Sequence, residues 1–406
     1  MTLIDDATTT LVDDAEALLP DLQELRRDLH RNPEVGLDLP WTQQRVLQAL
    51  EGLPLEITTG VKTSSITAVL RGGKPGRVVL LRGDMDGLPV REETDLDYAS
   101  TTGRMHACGH DLHTAGLVGA ARLLSARREE IEGSVVFMFQ PGEEGCNGAS
   151  VMIEEGILDA AGERPVGSYA IHVGPGPRGI VATKAGTLLA GSSTLHITVH
   201  GRGGHGSQPQ SAADPVLPLS LIAAQLQSMI TRRFDAFDPV VISVTQLSAG
   251  EAINVIPPSA TLGATVRTMS QAALDALPGF ITSLAEGIAS AYGCTAEVDF
   301  TTQYIPTVND EAETEFVIDE LRELLGEEQV IVAPHGMMGS EDFSFVLAEV
   351  PGTFISLSST PDDVELATAA MNHSPHVLFD DSVLGREAAI LAGLAIARLR
   401  KAAAEG

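Results

Sequence analysis

Val135-Val136-Phe137-Met138-Phe139, with Gln140-Pro141-Gly142-Glu143-Glu144-Gly145 directly behind it, is the stretch on which the fold turns. Five consecutive apolar residues leave no face for water, so the segment reads as a strand buried on both sides. Working outward, residues 78–81, 169–173 and 354–357 repeat that β-rich, nearly all-apolar pattern. Between them Asp111 is placed to cap a helix over 112–124, and a second helical pattern runs through 383–399. The expected class is α/β, with helices around a mixed, largely parallel sheet.

From about Thr187 the texture changes. A period-two strand at 194–199 precedes a helix at 215–232, strands at 240–247 and 261–268, a helix at 271–292 and a strand at 295–300. The order βαββαβ predicts an antiparallel sheet with two helices, an α+β, ferredoxin-like unit inserted into the larger domain. The expected boundaries are 1–186 and 304–406 for the two parts of the main domain and 187–303 for the insert.

A chain of 406 residues with 44% hydrophobic content has enough material for two or three folding units. Its net charge of −29, from 26 Lys plus Arg against 55 Asp plus Glu, repels nucleic acid phosphates and anionic lipid surfaces. No apolar run reaches the roughly 18–20 residues of a membrane helix, and Asp5, Asp6, Asp13 and Asp14 leave no basic region of a secretory signal. Three cysteines, Cys108, Cys146 and Cys294, cannot pair evenly, as in reduced intracellular proteins. The expected location is the cytoplasm, without nucleic acid or membrane partners.

Chemistry-bearing residues concentrate just beyond strands. Met105-His106-Ala107-Cys108-Gly109-His110-Asp111 offers thiol, imidazole and carboxylate within a few positions, and Gly109 lets Cys108 and His110 converge from a turning segment. A lone Cys-x-His would more often be a loop thiol beside a surface histidine. Glu143 and Glu144 follow the 135–139 strand, where ligands gather in open α/β sheets, and neighbouring positions point apart. One carboxylate can then hold a metal while the other faces a reacting water, although a solvated acidic turn is the blander alternative. His172 closes the next strand, where either a core hydrogen bond or a metal would satisfy it. His373 lies in a polar loop before the last helix, and Asp84 and Asp86 follow Leu81. Independent solvated loops have no reason to deliver Cys, Glu and His to one rim of a sheet.

These residues resemble those of the co-catalytic metallopeptidases that include aminoacylases, hippurate hydrolases, auxin-conjugate hydrolases and acetyldiaminopimelate deacetylase. The likeness runs through Asp28-Leu29-His30-Arg31-Asn32-Pro33-Glu34, Asp84-Met85-Asp86, residues 105–113, Glu143-Glu144, Gly203-Gly204-His205-Gly206, Asn254-Val255-Ile256-Pro257 and Gly339-Ser340-Glu341-Asp342-Phe343. It implies a metal-dependent amidohydrolase acting on N-acyl amino acids or peptide-like small molecules. Cys108 would bridge two divalent ions, with His110 and His172 completing one and Glu144 and His373 the other, and Glu143 would be the general base. The thiolate places the chain in the hippurate and auxin-conjugate branch. Zinc, manganese, cobalt and nickel all stay open as the ion.

The resemblance also implies that the insert is a lid and dimerisation domain. His205 would meet the developing oxyanion from a neighbouring subunit, and Asn254 and Arg267 would lie near the substrate carboxylate, in a homodimer or higher oligomer. His106, His113, His335 and His376 are expected in supporting or structural roles, and Cys146 as a small packing residue. Gly83, Gly87 and Gly142 stand where relatives often have Ala, which bears on pocket shape. Two alternatives remain: a dipeptidase or carboxypeptidase of the same family, and a metal-dependent acyl-amino-acid binding protein without turnover.

Overall fold

The structure, a computed structural model, describes residues 4–405. Its chain divides into two compact units, one of 1–188, 308–335 and 345–406, the other of 189–307 and 336–344. The short segment 336–344 thus groups with the residues of the insert.

The first unit is built on an eight-stranded sheet in the order Leu55–Thr59, Ile66–Arg71, Glu132–Gln140, Lys74–Asp84, Gly167–Pro177, Gly352–Thr360, Val181–Thr183, Val330–Val332. The four central strands are mutually parallel, with Val79 opposite Val135, Leu80 opposite Ser168 and His172 opposite Ser356. The hairpin Leu55–Thr59/Ile66–Arg71 joins antiparallel, as expected for a mixed sheet. Parallel strands aligned in this way deliver their carboxyl ends to one edge, which is where Asp84 and Gln140 finish.

The helices Ile4–Arg31, His110–Ala126 and Leu384–Glu405 pack together in the same core as the sheet. His110–Ala126 is buried nearly all round, and Asp111, His113 and Thr114 along it each have a fixed polar partner. Its Gly119 brings the helices close: a Cβ there would lie 2.7 Å from that of Ala388. The start of this helix departs from the sequence reading. Gly109, at φ 84°, is the residue before the first turn, and Asp111 lies inside that turn. Its carboxylate does not cap the helix but binds Arg26 Nε at 2.7 Å and His30 Nδ1 at 2.8 Å. A tertiary ion pair outcompetes the local capping bond.

The second unit is a four-stranded antiparallel sheet in the order Val240–Ala249, Ser259–Thr268, Gly191–His200, Thr295–Tyr304. Alternation sends Leu195, Ile197 and Val199 inward against Leu219, Ile222 and Leu226 of Val216–Arg233 and Leu277 and Ile281 of Gln271–Ala291. Ser270 caps the second helix by accepting the N–H of Ala273. The fold is α/β with a ferredoxin-like second unit, in agreement with the sequence. Among the described residues no helix is long and apolar enough to cross a membrane.

Candidate metal centre

Four segments of the first unit meet at the carboxyl edge of its sheet. The loop before His110–Ala126 brings Cys108, and the helix itself begins with His110. Gly109 is required between them: its backbone is left-handed, and a Cβ would lie 2.2 Å from Val173 Cγ2. After Glu132–Gln140 the chain turns sharply through Gly142 at φ 72° and Gly145 at φ 79°, presenting Glu143 buried and Glu144 half-buried. His172 lies in the middle of Gly167–Pro177 and not at a strand end, because the strand continues through Gly174 to Pro177 without an apolar pattern. His373 comes from the loop before the last helix.

Ligand atoms of Cys108, His110 and His172 lie within 4.8 Å of one another, and so do those of Cys108, Glu144 and His373. The two triads share one sulfur. Cys108 Sγ is 3.4 Å from His172 Nε2, and His373 Nε2 is 3.0 Å from Glu144 Oε1. Glu143 Oε2 stands 4.0 Å from His110 Nε2. Burial by itself would raise the Cys108 thiol, yet the imidazoles of His172, His110 and His373 pull it well below the ordinary thiol range. Hydrogen bonding to Cys108 and then to Glu144, working against burial, lifts His373 to about 10. Burial raises the Glu144 carboxyl, with His373 pulling the other way.

This donor set fits a pair of divalent cations. A buried thiolate sits among imidazoles and a carboxylate, and neither ring nitrogen of the fully buried His110 has a hydrogen-bond partner. Its nearest acceptors are Asp86 Oδ1 at 3.5 Å from Nδ1 and Asp84 Oδ2 at 3.6 Å from Nε2. A third grouping of Asp84, His110 and His113 has different chemistry, because Asp84 and His113 are already bonded to each other at 2.6 Å.

Behind the donors lies a layer in which His113 takes the supporting place expected of it, while the sequence reading assigns no task to Asp84 or Asp86. Asp86 accepts the backbone N–H of both Glu143 and Glu144, each at 3.0 Å, and so fixes the acidic turn. Asp84 binds Arg82 Nη1 at 2.5 Å and receives His113 Nδ1–H, while His113 Nε2 accepts the N–H of Val173 at 2.8 Å. That pattern requires neutral His113, consistent with burial pushing it down to about 4. His172 Nδ1–H donates to Val173 O at 2.8 Å, which turns Nε2 towards the sulfur. His373 itself adopts φ 72°, a left-handed backbone that costs a non-glycine residue about 1–2 kcal/mol, with its N–H donated to Ala107 O at 2.8 Å.

A model of Peptidase family M20/M25/M40 matches residues 80–397. The chain belongs to this family. As an M20 protein it is a metal-dependent amidohydrolase. Thermostable carboxypeptidase 1 of Saccharolobus solfataricus is 34% identical over 89% of this chain and 91% of its own. N-acetylcysteine deacetylase of Bacillus subtilis is 36% identical over 82% of this chain and 87% of its own. The crystal structure of a dinuclear metal binding M20 peptidase from Bacillus subtilis superposes with a TM-score of 0.81 at 32% identity, covering 95% of this chain and 99% of that one.

The remaining candidates lie in the second unit. His205 is exposed on Gly204–His205, paired with Val255–Ile256, and the N–H of Gly206 bonds to Asn254 O at 2.8 Å, so His205 and exposed Asn254 are neighbours. Ser207 N–H donates to His205 Nδ1 at 3.1 Å, which leaves the proton of a neutral ring on Nε2, available as a donor. Arg267 is half-buried on Ser259–Thr268 and bonds to Ser192 Oγ. His335 and His376 are exposed, as is Cys146, which therefore is not the packing residue expected of it. His106 is buried, and burial lowers it to about 4.

Proposed function

We propose that this chain hydrolyses the amide bond of N-acyl-L-amino acids, with Cys108 bridging two divalent ions, His110 and His172 completing one, and Glu144 and His373 the other. The observation that carries the reading is the single sulfur common to both donor triads, with Glu143 beside them and outside both. Bound there, two such ions lower the pKa of a water from ~15.7 towards ~7 and polarise a substrate carbonyl. Glu143, whose turn is held by Asp86, takes the proton of the attacking water and passes it to the departing amine nitrogen. The C–N bond breaks, and the products are a carboxylic acid and a free amino acid.

His205, donating from Nε2 and supplied by a neighbouring subunit, steadies the developing oxyanion, while Asn254 and Arg267 hold the substrate carboxylate. Residues 1–186 and 304–406 serve as the catalytic domain in this reading, and 187–303 as the lid and dimerisation domain of a cytoplasmic homodimer or higher oligomer. Three free cysteines support a reducing compartment. Thiolate and imidazole favour zinc, cobalt or nickel, and the carboxylate also tolerates manganese.

A second reading keeps the chemistry and changes the bond: a carboxypeptidase or dipeptidase, supported by the 34% identity to a thermostable carboxypeptidase. A binding protein without turnover is disfavoured by Glu143, a buried carboxylate that belongs to neither of the two triads sharing Cys108. A panel of N-acetyl and N-benzoyl amino acids set against dipeptides, assayed after chelation and again after adding each ion, tests the proposal. Cleavage of acyl amino acids restored by an added ion supports it. Turnover of dipeptides alone selects the second reading, and binding without any turnover selects the third.

A further inference from the structure

Asn372 is a polar side chain to which neither the sequence motifs nor the reaction gives a task. It is half-buried in the loop Met371-Asn372-His373, and its Nδ2 lies 3.1 Å from Val173 O, 3.3 Å from Cys108 O and 3.6 Å from Cys108 Sγ. Two of these three neighbours are backbone carbonyls, which only accept, so the amide is oriented with its nitrogen towards them. One hydrogen goes to Val173 O. The other is shared between the carbonyl and the sulfur of Cys108.

Those partners are the segments that carry the donors. Val173 O also receives Nδ1–H of His172, the bond that turns His172 Nε2 towards the sulfur. Cys108 contributes the sulfur common to both triads. His373 follows Asn372 directly, in a left-handed backbone conformation that needs outside support. Its own N–H reaches only Ala107 O. A single amide thus adjoins three of the five donors, drawn from three distant stretches of chain.

We propose that Asn372 is a positioning residue that donates an N–H···S hydrogen bond to the Cys108 thiolate and registers the His373 loop against the Cys108 and His172 segments. Two consequences follow. A hydrogen bond to a thiolate draws electron density from sulfur, which weakens its donation to a bound cation and leaves that cation a stronger Lewis acid. Register of the loop keeps His373 within reach of Glu144, so the triad of Cys108, Glu144 and His373 depends on Asn372 more than the triad of Cys108, His110 and His172 does. The inference rests on the ligand set proposed above.

Cobalt(II) is the probe, because a cobalt–thiolate bond gives a charge-transfer absorption whose energy reports the donor strength of the sulfur. Asn372→Leu and Asn372→Asp both remove the donated hydrogens at nearly constant size, the first without adding charge and the second with it. In both variants the band is expected to move to lower energy, and one of the two cobalt affinities, measured against a chromogenic chelator, to fall about 10–100-fold while the other holds. An unmoved band with both affinities intact in both variants overturns the proposal. So does a shift confined to Asn372→Asp, which would be the field of the added charge. Cys108→Ser separates this failure from that of the ligand set: if the band survives loss of the sulfur, the ligand set itself is wrong. If Cys108→Ser abolishes the band and the Asn372 variants leave it unmoved, the ligand set stands and only the role of Asn372 falls.

Discussion

The carboxylate of Asp86 holds the backbone N–H of Glu143, with Oδ1 to N at 3.0 Å, while its other oxygen takes the N–H of Glu144 at the same distance. Both amides lie in a turn with left-handed glycines on either side, so the orientation of the two carboxylates depends on an acid from the loop after a different strand. In Asp86→Asn one buried N–H faces an amide group in place of an acceptor, which costs about 1–3 kcal/mol. If that cost falls on the placement of Glu143 in the transition state, kcat drops about 10–100-fold with KM little changed. Steady-state kinetics at constant ion content provide the check, and an unchanged kcat would show that the turn holds without Asp86.

Glu143→Gln separates the base from the ion-holding donors. The two side chains have nearly the same shape, and Glu143 is buried to 5% exposure, so packing is little disturbed. Ion content, read by elemental analysis, is expected to stay at the wild-type value while hydrolysis falls about 10²–10⁴-fold. Full turnover with a normal ion complement would remove Glu143 from its role.

Most of the second unit was legible because strict period-two alternation, as in Leu195-His196-Ile197-Thr198-Val199, admits one face only to the core. The convergence of Cys108, His110, Glu143, Glu144, His172 and His373 was legible for a different reason: parallel buried strands oblige their following loops to share an edge. What the sequence could not display were bonds made across it. The pairing of Asp111 with Arg26 joins residues far apart in the chain, and a local capping rule predicts the wrong partner for it. Asn372 has no spacing that marks it, and the positive φ of His373 violates the residue preference by which such a turn would be found. The helix Ile4–Arg31 also escaped, because Pro20 interrupts its otherwise helical stretch even though Leu22, Leu25 and Leu29 are buried at helical spacing.

Asp111 and His30 make stability depend on pH from opposite sides. Burial would raise Asp111, but Arg26 and then His30 hold its carboxyl far below the ordinary range. Its contribution is therefore present above the unfolded value near 3.8 and is lost as pH falls through the folded value. Burial and Arg26 lower His30, but Asp111 and Glu92 together raise it above 6.5, so its contribution is full below 6.5 and is lost as pH rises through the folded value. His30→Gln should lower the melting temperature more at pH 6 than at pH 9. Equal losses at the two pH values would mean that the protonated ring adds nothing beyond its neutral hydrogen bonds.

Glu387 carries the opposite sign from Asp111. It is 1% exposed on the last helix, its Oε2 lacks a hydrogen-bond partner, and it packs against Gly116, where a Cβ would come within 2.4 Å of its carboxyl carbon. Burial, then Asp84, then Asp111 all raise it well above 4.5, and no cation offsets them. A folded state that binds the proton more tightly than the unfolded chain loses stability as pH climbs from 4.5 through the folded value, by about 1.4 kcal/mol for each unit of separation. Glu387→Gln keeps the shape and cannot ionise. It should match the wild type in thermal unfolding near pH 4.5 and become progressively more stable than it towards pH 8. A difference that stays flat across that range would require Glu387 to be ionised, with a partner, in the folded protein.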